Sequence, residues 1–477
     1  MRGVRLFSIA FFSMLTFSLL IKLRSFFIWE VVLIFIKTSW QEHKEYLKIA
    51  VPFVLSTLAS PLIGVVDTAI MGRLSLASYI GGVSVSVLIF NTLYWLLGFL
   101  RVTTSGFSAQ SLGDTDPRSA TLALMRPMLL AFIIATVIVV LQYPIKSIAF
   151  FVLNPTDNIR EIAAQYYDIR IWSTPFTLFN YVITGWLLGM GKVKFSLLLQ
   201  VFMNIVNIAF SYSLVMHFDM KADGVAWAAL IAESSTTFLS FVVMAKISLL
   251  SWSGITFKEL YAFSGLMDMM RMNRDLFVRT LCLLTTYNAF GYFGLRYGET
   301  ILAANAVLMQ VHFIMAHILG GIGNTNTVFV GKAFGKKDAA LYFKTMKIST
   351  IWGALTAIIM AVTIVVFDKP IISFFTNIQE VIDTAREYYF WLAFFPLVTF
   401  WGLLLYGSFV GATNGVPIRN SLIMSLILFF ASLYLTEGNW QNHGLWFAFV
   451  MFSFGRTIFL WPYLPKQNKL FAGFKNT

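Results

Sequence analysis

Long apolar runs separated by short polar breaks constrain this chain more than any single motif does. A helix that crosses a bilayer needs about 20 mostly apolar residues. Runs of that kind lie at roughly 47–70, 78–107, 121–143, 161–189, 195–215 and 223–248. A second set lies at roughly 276–297, 300–330, 343–366, 381–412, 417–435 and 443–463. Hydrocarbon leaves no water to satisfy bare backbone groups, so segments this long predict helices. The expected fold is all-α: a polytopic membrane protein of about twelve transmembrane helices in two six-helix lobes. Composition agrees, since only 12% of residues are charged, against about 25% in a soluble domain.

The expected divisions are an N-terminal extension at 1–40, an N-lobe at 41–250 and a cytoplasmic linker at 251–275. A C-lobe at 276–465 and a cytoplasmic tail at 466–477 follow. The opening "MRGVRLFSIAFFSMLTFSLLIKLRSFF" has basic ends around an apolar core, as a signal anchor does, and residues 1–36 read as an extension outside the core. Net charge is +13. No basic patch is interleaved with solvent-facing aromatics, so nucleic acid is not an expected partner. The excess falls in alternate loops, with Arg118, Lys192, Lys194, Lys336, Lys337 and Arg419 on one side. That side is expected to be cytoplasmic, with both ends of the core inside a bacterial inner membrane. Cys282 is the single cysteine and His312 and His317 stand five apart. This supports neither a disulfide nor a metal site, and no cofactor is expected.

The two halves repeat. Aligning Gly113 of "AQSLGDTDP" with Gly335 of "VGKAFGKKD" also aligns Asp116 with Asp338, and a second match pairs Pro175 with Pro396 at nearly the same offset. Each half holds an even number of spans, so the repeats are parallel, around a pseudo-two-fold axis. The local reading of the loops is structural: the glycines end helices in the left-handed conformation, and the aspartates cap the helices that follow.

These loops, with "GWLLGMGKVK" and "GSFVGATNG", resemble the MATE multidrug efflux transporters, and "PLIGVVDTAIMG", "FLRVTTSGFSAQ" and "GVAWAALIAE" resemble the bacterial DinF subfamily. The similarity runs from about residue 41 to 465. It implies exchange of an inward cation for an outward organic compound, with Asp67 as the proton or sodium site and Pro52 where the first span bends. Relatives that carry an asparagine and an aspartate on the fifth span match Asn207 and Ser211 here, and a sixth-span threonine matches Ala229. The loss of those ligands leans toward H+ rather than Na+.

The residues support this on their own terms. An aspartate at the centre of a membrane helix costs about 2.5–3.5 kcal/mol, so an intramembrane carboxylate tends to face a cavity; an interfacial, water-facing Asp67 is the bland alternative. Pro61 interrupts the first span, and Ser56, Thr57 and Ser60 are placed to satisfy freed carbonyls. Pro52 has an ordinary reading too, as a proline near a helix start. Arg101 in the second span either pairs with Asp67 or snorkels. Asn204, Asn207 and Ser211 share one side of the fifth span, as chamber lining or as polar glue between helices. Glu233 is a second acidic candidate, with a position near the cytoplasmic end of the sixth span as its bland reading.

The function expected is secondary active multidrug efflux: amphipathic or cationic organic compounds exported in exchange for inward H+ or Na+, by a monomer in the lipid bilayer. The alternative is a lipid-linked oligosaccharide flippase, against which the shortage of intramembrane arginines in the N-lobe counts. An enzyme is not expected, because no His, Asp or Ser set converges in the spans.

Overall fold

The computed structural model describes residues 39–59, 77–247, 250, 255–260, 262–436 and 440–474. Asp67 and Pro61 lie outside the described residues. Helices α1 (Trp40–Ala59), α2 (Ala77–Leu97), α3 (Phe99–Ser111), α4 (Ser119–Val140), α5 (Gln142–Leu153) and α6 (Asp157–Arg170) come first. Then follow α7 (Thr174–Gly189), α8 (Val193–Met216) and α9 (Lys221–Ile247). The second half comprises α10 (Phe263–Leu295), α11 (Glu299–Gly335), α12 (Ala339–Val366), α13 (Asp368–Phe375) and α14 (Gln379–Tyr388). It continues through α15 (Phe390–Gly411), α16 (Gly415–Thr436), α17 (Gln441–Ile458) and α18 (Leu464–Gly473). No strand occurs among the described residues. Nine of the described helical stretches, α2 continued by α3 and α17 by α18 among them, are long and apolar enough to cross a membrane. With α1, α7 and α10 they make twelve, six in each lobe.

Local chemistry sets the boundaries. Ser39 and Glu42 form a capping box: the Glu42 carboxylate accepts from Ser39 N–H at 3.2 Å and the Ser39 hydroxyl accepts from Gln41 N–H at 3.3 Å. The helix therefore starts at Trp40, earlier than the apolar run suggested. Pro52 sits in its interior rather than its first turn, and the helix runs unbroken through it. The long fourth run is not one helix. A 3-10 turn at Ile171–Ser173 separates α6 from α7 within it, and Asn154, in a left-handed conformation, stops α5 ahead of it.

The repeat is carried in the backbone. Helices α6 and α14, and α8 and α16, begin 222 residues apart (379 − 157 and 415 − 193). Small residues make the matching contacts. A Cβ at Gly185 would sit 2.4 Å from the Arg101 carbonyl, and one at Gly407 would sit 1.8 Å from the Gly323 carbonyl. Gly189 and Gly411 press on the carbonyls of Ser105 and Thr327 in the same way. Lipid is as apolar as leucine, so membrane helices associate through such close approach rather than through apolar burial. Pro175 and Pro396 are one residue out of this register.

The loop glycines have a different role from the one expected. Gly113 and Gly335 do not have positive φ; among the described glycines only Gly191 and Gly298 do. Instead, they meet across the pseudo-two-fold axis. A Cβ on Gly113 would lie 2.2 Å from the Lys332 carbonyl, and one on Gly335 would lie 2.0 Å from the Gln110 carbonyl. Asp338 caps α12, accepting from Leu341 N–H at 2.9 Å. Asp116 instead accepts from the backbone and guanidinium of Arg118, ahead of α4.

These contacts seal the lobes together at the end that carries the basic loops. Gln110 Nε2 donates to the Gly411 carbonyl and to Thr413 Oγ1, both at 3.0 Å. The Tyr46 hydroxyl donates to the Ile322 carbonyl, and Lys344 pairs with Glu42 at 2.6 Å.

Candidate functional site

Inside the N-lobe, α2, α3, α6, α7, α8 and α9 line a cavity of about 480 Å³. Its walls mix apolar residues (Val87, Phe90, Leu199, Met203) with polar ones (Asn91, Asn180, Gln200, Asn207). Three charged side chains reach it: Arg101, Arg170 and Glu233.

Glu233 stands midway along α9, not near its cytoplasmic end, because α9 runs from Lys221 to Ile247. It is 8% exposed, and burial without partners would be costly for a carboxylate. Partners are in place. Arg170 Nη2 donates to Glu233 Oε1 at 2.6 Å, and the Thr177 hydroxyl donates to Oε2. Asn180 Nδ2 donates to the Glu233 backbone carbonyl at 3.0 Å, and Thr237 donates to Asn180 Oδ1 at 3.1 Å. The Arg170 guanidinium also lies over the Phe90 and Tyr94 rings, 5.9 and 5.8 Å from their centroids. A buried ion pair is worth little net stability, but removing one partner leaves an uncompensated charge.

Of the residues singled out in the sequence, Arg101 and Asn207 line the cavity. Ala229 does too, so the place of the relatives' threonine is on the wall but carries no ligand. Ser211 is buried, and its hydroxyl has no partner among the described residues; Asn204 is half-buried; neither lines the cavity. The shared face of α8 thus divides: Gln200, Met203 and Asn207 face the cavity. Ser56 and Thr57 do not simply patch their own helix. Ser56 donates to Gln200 Oε1 at 3.2 Å, and Thr57 donates both to Val54 and, across the lobe boundary, to the His317 carbonyl at 2.9 Å.

Arg170, Thr177, Asn180 and Gln200 escaped the sequence reading. The available signal was Glu233 itself: an acid inside one span calls for a base inside another of the same lobe. Arg101 and Arg170 both lie inside the N-lobe, so its cavity holds one arginine more than the sequence reading named.

Among the described residues no group of histidine, cysteine or carboxylate side chains is arranged to hold a metal ion.

Comparison with known proteins agrees with this architecture. The MatE family model matches twice, at residues 52–213 and 276–435, once in each lobe. DNA damage-inducible protein F of Escherichia coli (strain K12) is 32% identical over 429 residues, which is 90% of this chain and 92% of that protein. A probable multidrug resistance protein NorM of Photorhabdus laumondii is 23% identical, covering 91% of this chain and 97% of that one. A solved structure described as the outward-facing conformation of a multidrug resistance MATE family transporter superposes with a TM-score of 0.80 at 16% identity. It covers 91% of this chain and 97% of that chain. With a family model in each lobe and a relative matched along nearly its whole length, this multi-pass membrane chain belongs to the MatE family.

Proposed function

We propose that the chain is a secondary active antiporter that exports amphipathic organic compounds, cationic ones included, in exchange for inward H+. The observation that carries this reading is the N-lobe cavity, which brings Arg101, Arg170 and Glu233 together with amide and apolar side chains between the helices of one lobe. Asp67 is the coupling carboxylate. Neutralising it from outside reshapes the first span around Pro52 and Pro61, shrinks the chamber and releases the substrate. Glu233 is held by Arg170 and serves the same chamber as a fixed polar wall. The protein works as a monomer in a bacterial inner membrane, with the basic loops and both ends of the core cytoplasmic. It needs no cofactor beyond the coupling ion.

The test is transport in proteoliposomes with ΔpH or ΔNa+ imposed separately. Export driven by ΔpH alone, and lost in Asp67→Asn at equal protein density, is the expected result. Export that follows ΔNa+ and ignores ΔpH overturns the proton assignment.

A further inference from the structure

At the basic-loop end, the first helix of the N-lobe is held by the opposite lobe. Tyr46 and Ala50 of α1 are buried with Ile322, Ile348 and Leu404 of the C-lobe. A Cβ on Gly321 would sit 2.8 Å from the Val54 Cα. Beside the Glu42–Lys344, Tyr46–Ile322 and Thr57–His317 contacts stands a fourth: Trp352 Nε1 of α12 donates to His43 Nδ1 at 3.2 Å. His43 is 1% exposed, and its ring meets Trp352 edge-on with centroids 6.2 Å apart.

An indole N–H donates and never accepts. The bond therefore requires a bare His43 Nδ1, so the imidazole in this contact is neutral, with its proton on Nε2. A second proton would set N–H against N–H and bury a cation, so the contact exists in one protonation state alone. The charge that bears on the ring is the Glu42 carboxylate of the same helix, held by Lys344 of α12 at 2.6 Å. The other helices packed on α1 are α11 and α8, which meet it through uncharged groups: the Ile322 carbonyl, the Phe329 ring and Gln200. Residue 43 lies ahead of the apolar run, and burial holds its imidazole below the usual histidine pKa, against the pull of Glu42. The hydrogen bond from Lys344 holds the Glu42 carboxyl below its own usual range, so Glu42 stays ionised where His43 titrates.

We infer that His43 is a proton-binding site separate from the coupling carboxylate, and that its protonation from the basic-loop side releases α1 from the C-lobe so that the lobes part there. The latched form binds one proton fewer than the released form. The latch is therefore intact above the ordinary histidine pKa and is lost as pH falls through the depressed one. With the basic loops cytoplasmic, the site makes the inward-opening step sensitive to acid in the cytoplasm.

Spin labels test it at Lys194→Cys and Lys336→Cys, one exposed position in the basic loops of each lobe. The parent protein also carries Cys282→Ser and Asp67→Asn, which leaves the coupling carboxylate out of the titration. Pulsed electron resonance then reads the distance between the lobes. Between about pH 7.5 and about pH 5 the ratio of parted to closed lobes is expected to rise about tenfold. Gln at position 43 keeps an acceptor for Trp352 and takes up no proton, so His43→Gln should hold the lobes closed at both values. Trp352→Phe removes the donor and should show parted lobes already at the higher pH, with little further change in acid. A ratio that ignores pH in the parent overturns the site, and so does a rise that persists in His43→Gln. Where His43→Gln does not fold, a full acid-induced rise in Trp352→Phe overturns it instead.

Discussion

The two lobes share a backbone and differ in what they bury. Gly185 packs on the carbonyl of Arg101 just as Gly407 packs on that of Gly323, so Gly323 stands in the C-lobe where Arg101 stands in the N-lobe. By the same register Leu392, Leu422 and Phe429 occupy the places of Arg170, Gln200 and Asn207. All three are at most 3% exposed and belong to the C-lobe core. The N-lobe keeps a cavity with Arg101, Arg170 and Glu233 on its wall. In the C-lobe, Phe395, Phe429, Phe449, Phe452 and Trp446 are almost fully buried. Its buried polar cluster is uncharged: Asn305 and Asn442 exchange amide hydrogen bonds at 2.7 and 3.0 Å, and Trp446 Nε1 donates to Asn305 at 2.8 Å. Close packing through glycine depends only on backbone approach, so it survives divergence of the side chains around it. The chemistry of each lobe is free to differ because the helices are held by their small residues.

The comparison is most directly broken at its charged end. Asp67→Asn is expected to reduce export to background while the protein still reaches the membrane; retained export in whole cells would remove the coupling role. Glu233→Ala leaves Arg170 buried without its partner and is expected to cost about 3–5 kcal/mol, seen as a lower midpoint in thermal unfolding. Replacing the pair together, Arg170→Leu with Glu233→Met, should recover most of that stability without restoring transport. If transport returns as well, the pair is scaffold rather than chamber wall.

The shared backbone has its own test. Gly335→Val drives a side chain into the Gln110 carbonyl and is expected to cost at least about 1–3 kcal/mol. Cysteine cross-linking at the basic-loop end should then show the seal loosened. An unaltered cross-linking yield would mean that this contact does not hold the lobes. Next in size, Asn207→Phe gives the N-lobe the residue of its partner and fills part of the cavity. Bulky substrates should lose rate by about tenfold, with small ones affected less, read as a change in the rate ratio across a size series.

The smallest effect expected is at the linker. The Arg118 side chain and backbone hold the Asp116 carboxyl below the usual carboxylate range. A backbone hydrogen bond from Thr256, with help from Arg118, lowers that of Glu259. Arg126 also donates to the Glu259 carbonyl at 3.0 Å, so this cluster ties the loop before α4 to the segment between the lobes. Both carboxyls titrate lower in the folded state than in the unfolded one. Their contribution is present above the ordinary carboxylate pKa and lost as pH falls through the depressed value. The exposed setting keeps it small. Protease cleavage of the linker should rise only in that acid range; cleavage independent of pH there would show that the carboxylates do not hold it.

Much of this was legible in the sequence. The spans were visible because hydrocarbon admits only long apolar helices, and the repeat because Gly113 and Gly335 recur in matched loops. Arg101 and Asn207 were found because a polar residue in such a run stands out. Their neighbours Arg170 and Gln200 were not, since Arg170 follows the polar stretch at 157–168 and Gln200 lies close to the start of its run. Pro52 was misplaced because apolar content marks where a membrane begins, whereas the Ser39–Glu42 capping box marks where the helix begins.

The sequence by itself determined the membrane-spanning helices, the two-lobed repeat and the chemical difference between its halves. These are properties of composition and order along the chain. Only the tertiary structure decided that the loop glycines meet across an axis and that Glu233 faces Arg170 inside one cavity. Each of those facts is a distance between residues far apart in the chain. Helix packing fixes such distances, and no local pattern records them.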